Sequence, residues 1–282
     1  MARRLVLGAG GVTLLGACSP GETPLPGMAA GGPSSTPLPS QRGRPGPTGA
    51  PFPSDETDTG DSHTGDTPPP DSTTTAPGQN SLDPPPAPGK PQFYVHEGDK
   101  AIALTIDDGP DPRYTPQVLA LLAQYKISAT FCMLGQSVKS HANLVQEVAA
   151  AGHAIANHTY THSDLGKATI AAVRSEMTRA NDALAVAGAK PPAFFRAPFG
   201  SWSPAVFQVC QELSLRPLDW SVDPRDWSRP GTDHIVDTVL GHTHTGSIIL
   251  EHDGGGDRSQ TVAALTRFLP ELINRGYHFV QP

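Results

Sequence analysis

Cysteine, long hydrophobic runs and basic residues are all scarce in this sequence. The chain of 282 residues has three cysteines, 20 lysines and arginines, 27 aspartates and glutamates, and a net charge of −7. A mildly acidic chain without a basic stripe argues against a nucleic-acid partner. The apolar run at 5–16 is too short to span a bilayer as a helix. Export would allow a disulfide between Cys132 and Cys210, but both lie in apolar patterns, which favours two buried free thiols.

The first 18 residues have the layout of a targeting segment. Arg3 and Arg4 form a short positive region, the apolar run follows, and small residues precede Cys18. This layout resembles a bacterial lipobox, in which the cysteine is lipidated and becomes the mature N-terminus. We therefore predict a signal peptide over 1–18 and an extracytoplasmic protein that reaches the membrane through a lipid on Cys18, which membrane fractionation tests. The alternative is an ordinary secretory signal and a released protein, by either the Sec or the twin-arginine route.

Residues 19–92 are rich in proline and almost free of aromatic side chains. They hold 19 of the 31 prolines and a single aromatic residue, Phe52. Such a composition cannot bury enough apolar surface to offset the entropy of ordering the chain. We predict a disordered linker, which as an extended Pro-rich chain could reach on the order of 100 Å.

From residue 93 onward, short apolar runs alternate with helical patterns. Strands that alternate with helices imply parallel strands and an α/β fold. About seven strands over 93–282 favour one barrel-like sheet rather than two domains, and reactive groups in such barrels gather at the carboxyl ends of the strands. The predicted strands are 101–106, 129–134, 153–157, 193–196, 215–221, 247–251 and 278–280, and the predicted helices are 115–125, 142–151, 170–187, 204–213, 234–240 and 259–275.

Polar residues collect at the ends of these predicted strands. Chance would not place so many of them at one rim of an apolar scaffold. His242 and His244 form another pair, but they precede the sixth strand and are interpreted as surface residues. The strand-end residues are Asp107 and Asp108 after the first strand, His158 after the third, Arg196 at the end of the fourth, Asp223 and Asp226 after the fifth, and His252 after the sixth.

An aspartate pair and a histidine pair could together form a metal site. His158 and His162 have i, i+4 spacing, which predicts two imidazoles on one face of a helical turn. One carboxylate and two imidazoles, with room for water, are how a catalytic zinc is held. Of Asp107 and Asp108, the one that does not bind metal is then free for proton transfer. The alternatives are an ordinary Asp-Asp-Gly-Pro turn and a surface helix with two exposed histidines.

Three further strand ends carry groups that suit a hydrolytic site. Arg196 could hold a carboxylate ionised and oriented. In the motif DPRDW at 223–227, an acid could orient a histidine, and the tryptophan could form the base of a sugar-binding cleft. His252 could donate a proton to a leaving group if a carboxylate keeps it charged. The alternatives are a solvent-exposed ion pair and a turn with a packed indole.

The region from about residue 101 to 280 resembles the NodB-type polysaccharide deacetylases, also called carbohydrate esterase family four. Five motifs occur in the family's order: TIDDGP at 105–110, HTYTH at 158–162, RAPFG at 196–200, DPRDW at 223–227 and LEH at 250–252. The resemblance implies a distorted (β/α) barrel over 93–282. It also implies removal of acetyl groups from N-acetylglucosamine polymers or, in some members, from acetylated xylan.

The resemblance implies a base and a metal centre. Asp107 would be the catalytic base, oriented by Arg196. Asp108, His158 and His162 would bind one divalent metal ion, with zinc expected first and cobalt as the alternative. The metal would bind water and polarise the acetyl carbonyl, and Asp107 would take the proton of the water.

The resemblance also implies an acid and a substrate pocket. His252 would be the general acid, tuned by Asp226, and Leu250 would line the acetyl pocket beside Trp227. Phe199 stands where the family usually has tyrosine. The family uses the backbone N–H of this residue as an oxyanion donor, so that role is kept, whereas any contact of a tyrosine hydroxyl is lost.

The expected function is metal-assisted hydrolysis that deacetylates peptidoglycan or chitin-like oligomers, by a protein expected to be a monomer. An acetylxylan O-deacetylase is a second possibility, because an acetyl ester and an acetamide need the same metal and base. A non-catalytic glycan-binding envelope lipoprotein is a third. A protein of that kind would be expected to have lost a ligand, the base or the acid, and none is missing here.

Overall fold

Strand β1 (Ala101–Asp107) lies at the centre of a parallel sheet. In the computed structural model, which describes residues 89–282, all 7 of its residues are buried. It pairs with β2 (Thr130–Met133) on one side and with β6 (Ile248–His252) on the other. A strand that is buried on both faces requires a nearly continuous apolar run, which explains the pattern at 101–106.

The sheet has seven strands, paired in parallel throughout, in the order β5-β4-β3-β2-β1-β6, with β7 beside the first residues of β1. It curls into a half-barrel. The predicted α/β fold with about seven parallel strands in a distorted barrel is therefore confirmed. The remaining strands are β3 (Ala154–Asn157), β4 (Phe194–Phe195), β5 (Arg216–Pro217) and β7 (His278–Phe279).

Within residues 89–282, each of the six predicted helices is present, together with a seventh, α2, that the sequence did not predict. Only Gly135 and Val138 of its 6 residues are buried, so it has no apolar period to recognise. Short 3-10 turns follow at Pro198–Gly200 and Asp226–Ser228. The helices are α1 (Thr115–Tyr125), α2 (Gly135–Ser140), α3 (Ala142–Ala150), α4 (Ile170–Val186), α5 (Pro204–Glu212), α6 (Thr232–His242) and α7 (Ser259–Asn274).

One face of β1 packs into the hydrophobic core, and the other face carries the polar residues of the site. Ile102, Leu104 and Ile106 belong to the main core, which the sheet forms with the surrounding helices. Successive side chains of a strand point to opposite faces, so Thr105 and Asp107 lie on the other, concave face. The last carboxylate of the strand is therefore delivered to the inner rim of the half-barrel.

The expectation of a helical turn at 158–162 is wrong. His158 and His162 lie in a loop that follows β3, and Thr159 and His162 both have left-handed backbone angles, with φ of 69° and 60°. Side chains organise this loop instead of a helix. Asn157 Oδ1 accepts the Thr159 N–H, and Thr159 Oγ1 accepts the His162 N–H. Such local side-chain bonds compete with helical ones.

The described part of the chain also bears on the cysteines and the boundary of the folded domain. Cys132 and Cys210 are buried and free, as predicted. The N–H of Gln92 donates to the Pro217 carbonyl, so contacts with the sheet begin one residue before the predicted boundary at 93. Within 89–282, no helix combines the length and apolar character needed to cross a bilayer. The signal peptide, Cys18 and most of the linker lie outside the described residues and stay predictions.

Candidate active site

Asp107 and Arg196 form a buried ion pair behind the rim. Arg196 is fully buried and its Nη1 lies 2.8 Å from Asp107 Oδ1. The same nitrogen donates to Thr105 Oγ1, and Nη2 donates to the Asp219 carbonyl oxygen. With one oxygen of Asp107 fixed by the guanidinium, its other oxygen is directed toward His158, with 3.7 Å between Oδ2 and Nε2. The carboxylate is held in one orientation.

Asp108, His158 and His162 converge on one point. The Oδ1 atom of Asp108 lies 3.5 Å from His158 Nε2 and 3.3 Å from His162 Nε2. One ligand atom from each of the three residues lies within 4.8 Å of the others. Asp108 Oδ1 is buried and has no hydrogen-bond partner among residues 89–282, and a cation bound here would satisfy it. Two imidazoles and one carboxylate fit a divalent ion such as zinc.

The protonation of these ligands is consistent with that assignment. Burial by itself would raise the pKa of Asp108, but His158 and the neighbouring histidines hold the pKa below its usual range. The Nδ1 atom of His158 lies 2.9 Å from the Arg196 carbonyl oxygen, which can only accept, so Nδ1 carries the hydrogen. Nε2 is then left as the metal-binding nitrogen. Such an outer hydrogen bond fixes the tautomer of a metal-binding histidine.

Glu176 on α4 shapes the loop that carries both histidines, and the sequence did not single it out. Its Oε2 accepts the N–H groups of Tyr160 and Thr161 and the Thr161 hydroxyl. This carboxylate holds the loop against α4 and so sets the spacing of His158 and His162. A single glutamate on the following helix gives no sequence signal of this role.

His252 and Asp226 form a second buried pair across the rim. The Nδ1 atom of His252 lies 2.7 Å from Asp226 Oδ1, and the His252 backbone N–H donates to Asp226 Oδ2. The hydroxyl of Thr261 also donates to Oδ2. Burial would lower the pKa of His252, but the Asp226 carboxylate outweighs it and raises the pKa to about 9. The imidazole is therefore charged at neutral pH and can act as an acid.

These groups open into one cavity of about 620 Å³. Phe199 is 68% exposed and packs edge-on against the His162 ring, 4.6 Å between centroids. Trp227 is 45% exposed at the mouth, and Leu250 lies deeper. Trp220 also lines the cavity and was not predicted. An indole at the mouth and an aliphatic side chain inside suit a sugar ring and a small acyl group.

The structure brings together every site residue predicted within the described part of the chain. Eight line the cavity and two lie directly behind it. The lining residues are Asp107, Asp108, His158, His162, Phe199, Trp227, Leu250 and His252, and the supporting residues are Arg196 and Asp226. His242 and His244 are exposed and lie elsewhere, as predicted.

Comparison with known proteins identifies the family. The profile described as Polysaccharide deacetylase matches residues 95–218. A peptidoglycan-N-acetylglucosamine deacetylase of Bacillus cereus is 46% identical over 195 residues, which cover 67% of this chain and 89% of the relative. The chain belongs to the polysaccharide deacetylase family. A chitooligosaccharide deacetylase of Rhizobium leguminosarum bv. trifolii is 43% identical, covering 64% of this chain and 88% of that relative.

Solved structures of the family share the fold. A peptidoglycan N-acetylglucosamine deacetylase superposes with a TM-score of 0.65 at 34% identity, over 67% of this chain and 89% of that one. A Bacillus anthracis member described as a pseudoenzyme superposes with a TM-score of 0.64 at 26% identity, over 68% and 67% of the two chains. Membership of the polysaccharide deacetylases therefore does not by itself establish activity, which depends on whether the residues of the site are all present.

Proposed function

We propose that the protein is a metal-dependent hydrolase that removes acetyl groups from N-acetylglucosamine-containing polysaccharide and releases acetate. One observation carries the proposal. A two-histidine, one-aspartate cluster lies in a single cavity, flanked on one side by a paired carboxylate and on the other by a charged imidazole. Base, cation site and acid are the three parts that amide hydrolysis requires.

The cation ligands, the base and the oxyanion donor come from different residues of the cavity. A divalent cation held by Asp108, His158 and His162 would supply Lewis-acid polarisation of the acetyl carbonyl. Asp107, oriented by Arg196, takes the proton from the attacking water. The backbone N–H of Phe199 stabilises the developing oxyanion.

His252 completes the reaction on the far side of the cavity. Held charged by Asp226, it passes its proton to the departing nitrogen, which allows the carbon–nitrogen bond to break. The reaction begins with an ionised Asp107 and a protonated His252, so the rate falls on both the acid and the alkaline side.

Peptidoglycan is the first substrate we propose, and chitin-like oligomers are the second. Of the two relatives described above, one is named for peptidoglycan and the other for chitooligosaccharide. An acetylxylan O-deacetylase would use the same groups, since an ester needs no stronger acid or base than an amide. A binding protein without activity would have no use for the paired base and the paired acid that this site retains.

Acetate release from peptidoglycan, chitooligosaccharides and acetylated xylan, with zinc or cobalt added, tests the proposal. We expect release from one or both of the N-acetylglucosamine substrates. Acetate release from acetylated xylan alone would instead support an acetylxylan O-deacetylase. The absence of release from all three, by folded protein with bound metal, would contradict an enzymatic function.

Two substitutions separate the base from the metal site. Asp107→Asn should keep metal binding and lower the rate by about 10²- to 10⁴-fold, the usual contribution of a general base. His158→Ala should lose the metal as well as the activity. Bound zinc in purified, folded variants and initial rates are the two measurements. Substantial activity in Asp107→Asn would show that another group is the base.

A further inference from the structure

Trp202 and Asp219 form a polar pair that the proposed mechanism does not use. The indole Nε1–H of Trp202 donates to Asp219 Oδ2 over 2.8 Å. Asp219 is 5% exposed and follows β5, whereas Trp202 follows the 3-10 turn at Pro198–Gly200. A buried carboxyl group without a partner is costly, so this hydrogen bond fixes where the indole lies relative to Asp219.

The backbone of Asp219 is anchored to the residues of the proposed base. Its carbonyl oxygen accepts a hydrogen bond from Arg196 Nη2 at 2.9 Å, and Nη1 of the same guanidinium lies 2.8 Å from Asp107 Oδ1. On its other side, the Asp219 N–H donates to the Gln92 carbonyl oxygen at 2.8 Å. Asp219 is therefore held on both sides, one hydrogen bond away from the arginine that orients Asp107.

Trp202 belongs to the loop that carries Phe199 at the cavity. Its ring stacks on Phe207, with 5.2 Å between centroids, and meets Phe195 edge-on. Phe199 has a left-handed backbone, with φ of 61°, which is sterically unfavourable for a residue other than glycine. Such a conformation persists only where its surroundings hold it, and the hydrogen bond from Trp202 to Asp219 ties this loop to the segment that follows β5.

The backbone N–H of Phe199 is available to a substrate. Among residues 89–282, no acceptor takes up this N–H, and the residue lines the cavity beside His162. A donor that stabilises an oxyanion has to be in place before the reaction, because its effect is reduced if the loop must first reorganise. The contribution of this N–H therefore depends on what holds residues 198–202.

We propose that Trp202 and Asp219 are positioning residues whose hydrogen bond fixes the Phe199 N–H relative to the pair of Arg196 and Asp107. Asp219 holds Arg196 through its carbonyl oxygen and the Phe199 loop through its side chain, so one residue aligns the oxyanion donor with the base. The catalytic consequence rests on the proposed deacetylase function, whereas the hydrogen bond itself does not.

Three substitutions in the full-length protein test this role. Trp202→Phe removes the indole N–H and keeps an aromatic ring, and Asp219→Leu removes the acceptor. Both should lower kcat for acetate release from peptidoglycan or chitooligosaccharides by about 10-fold, part of the roughly 10²- to 10³-fold that loss of an oxyanion donor costs. KM should stay unchanged, because the oxyanion forms only in the transition state. Phe207→Leu is the control, since it weakens the packing of Trp202 but leaves the hydrogen bond, and it should keep kcat.

Hydrogen exchange of the indole N–H measures the hydrogen bond independently of activity. The chain has three tryptophans, so NMR of ¹⁵N-tryptophan-labelled protein gives three indole signals, and Trp202→Phe identifies that of Trp202. We expect this N–H to exchange at least about 10-fold faster in Asp219→Leu than in the wild type. In Asp219→Asn, whose amide oxygen can still accept, slow exchange and most of kcat should return.

The outcomes separate this inference from the proposed function. Unchanged exchange of the Trp202 N–H in Asp219→Leu, or an equal loss of kcat in Phe207→Leu and Trp202→Phe, would overturn the positioning role. If Asp219→Leu does not fold, the comparison of Trp202→Phe with Phe207→Leu still decides the matter. Slow exchange that depends on Asp219, in a protein that releases no acetate from any of the three glycans, would support the hydrogen bond and contradict the deacetylase function.

Discussion

At the scale of single residues, the site depends on two buried pairs of oppositely charged groups. Arg196 holds the Asp107 carboxylate in one orientation, while Asp226 raises the pKa of His252 to about 9. The proposed base is thus fixed in place and the proposed acid is charged at neutral pH, on two neighbouring strands. A cavity with only one of these pairs would bind a sugar without the means to cleave its amide.

Asp226→Asn should move the alkaline limb of the pH–rate profile. Asp226 raises the pKa of His252 to about 9, so the wild-type acid stays protonated until the pH passes that value. Without the negative charge the pKa falls toward or below 6.5, and the alkaline limb moves down by about two pH units. At pH 8 the rate should drop by at least about 10-fold. Asp223→Asn, which changes a cavity carboxylate that makes no bond to His252, is the control and should leave the limb in place.

At the scale of elements, the sequence predicted where the strands end but not how the loops between them are held. Apolar runs and the polar residues after them placed Asp107, Arg196 and His252 at the rim, because a buried parallel strand has a strong local signature. The i, i+4 spacing of His158 and His162 predicts a helical turn, which is wrong. Their loop is fixed instead by Glu176 on α4, the helix that follows the loop. A contact made by one side chain of a neighbouring helix leaves no periodic pattern in the sequence.

The glycine-rich loop after β6 packs directly on the metal site. Gly255 has a left-handed φ of 73°, and a Cβ there would lie 2.8 Å from Asp108 Oδ2. Gly255→Ala should displace that carboxylate and lower zinc affinity by about 10- to 100-fold, as when an outer support of a metal ligand is lost. Zinc titration against a competing chelator measures the effect.

A matched glycine provides the control for this loop. Gly276 has a similar φ of 87°, but a Cβ there would meet nothing within 4 Å. Gly276→Ala should therefore carry the backbone strain, about 1 kcal/mol, without changing zinc affinity. Equal losses of affinity in the two variants would show that strain alone, not contact with Asp108, is responsible.

At the scale of the whole molecule, the strand order explains why residues 145 positions apart meet in one site. β1 lies between β2 and β6, and the register places Asp107 opposite both Cys132 and His252. All these strands run in parallel, so their carboxyl ends share one rim. The arrangement crowds Asp107, Asp108, His158 and His162 together, and within the described residues 89–282 Asp108 Oδ1 has no hydrogen-bond partner.

Binding of a divalent ion should therefore stabilise the folded domain as well as activate it. An ion that binds only the folded state at 100 times its Kd adds about 2.7 kcal/mol to the free energy of unfolding. For a domain of this size, that corresponds to a rise in Tm of about 5–10 °C. Calorimetry of chelator-treated protein before and after addition of zinc measures the shift. His158→Ala, which removes one ligand, should show little or none, and an equal shift in that variant would mean that zinc stabilises the protein from somewhere other than the rim of the half-barrel.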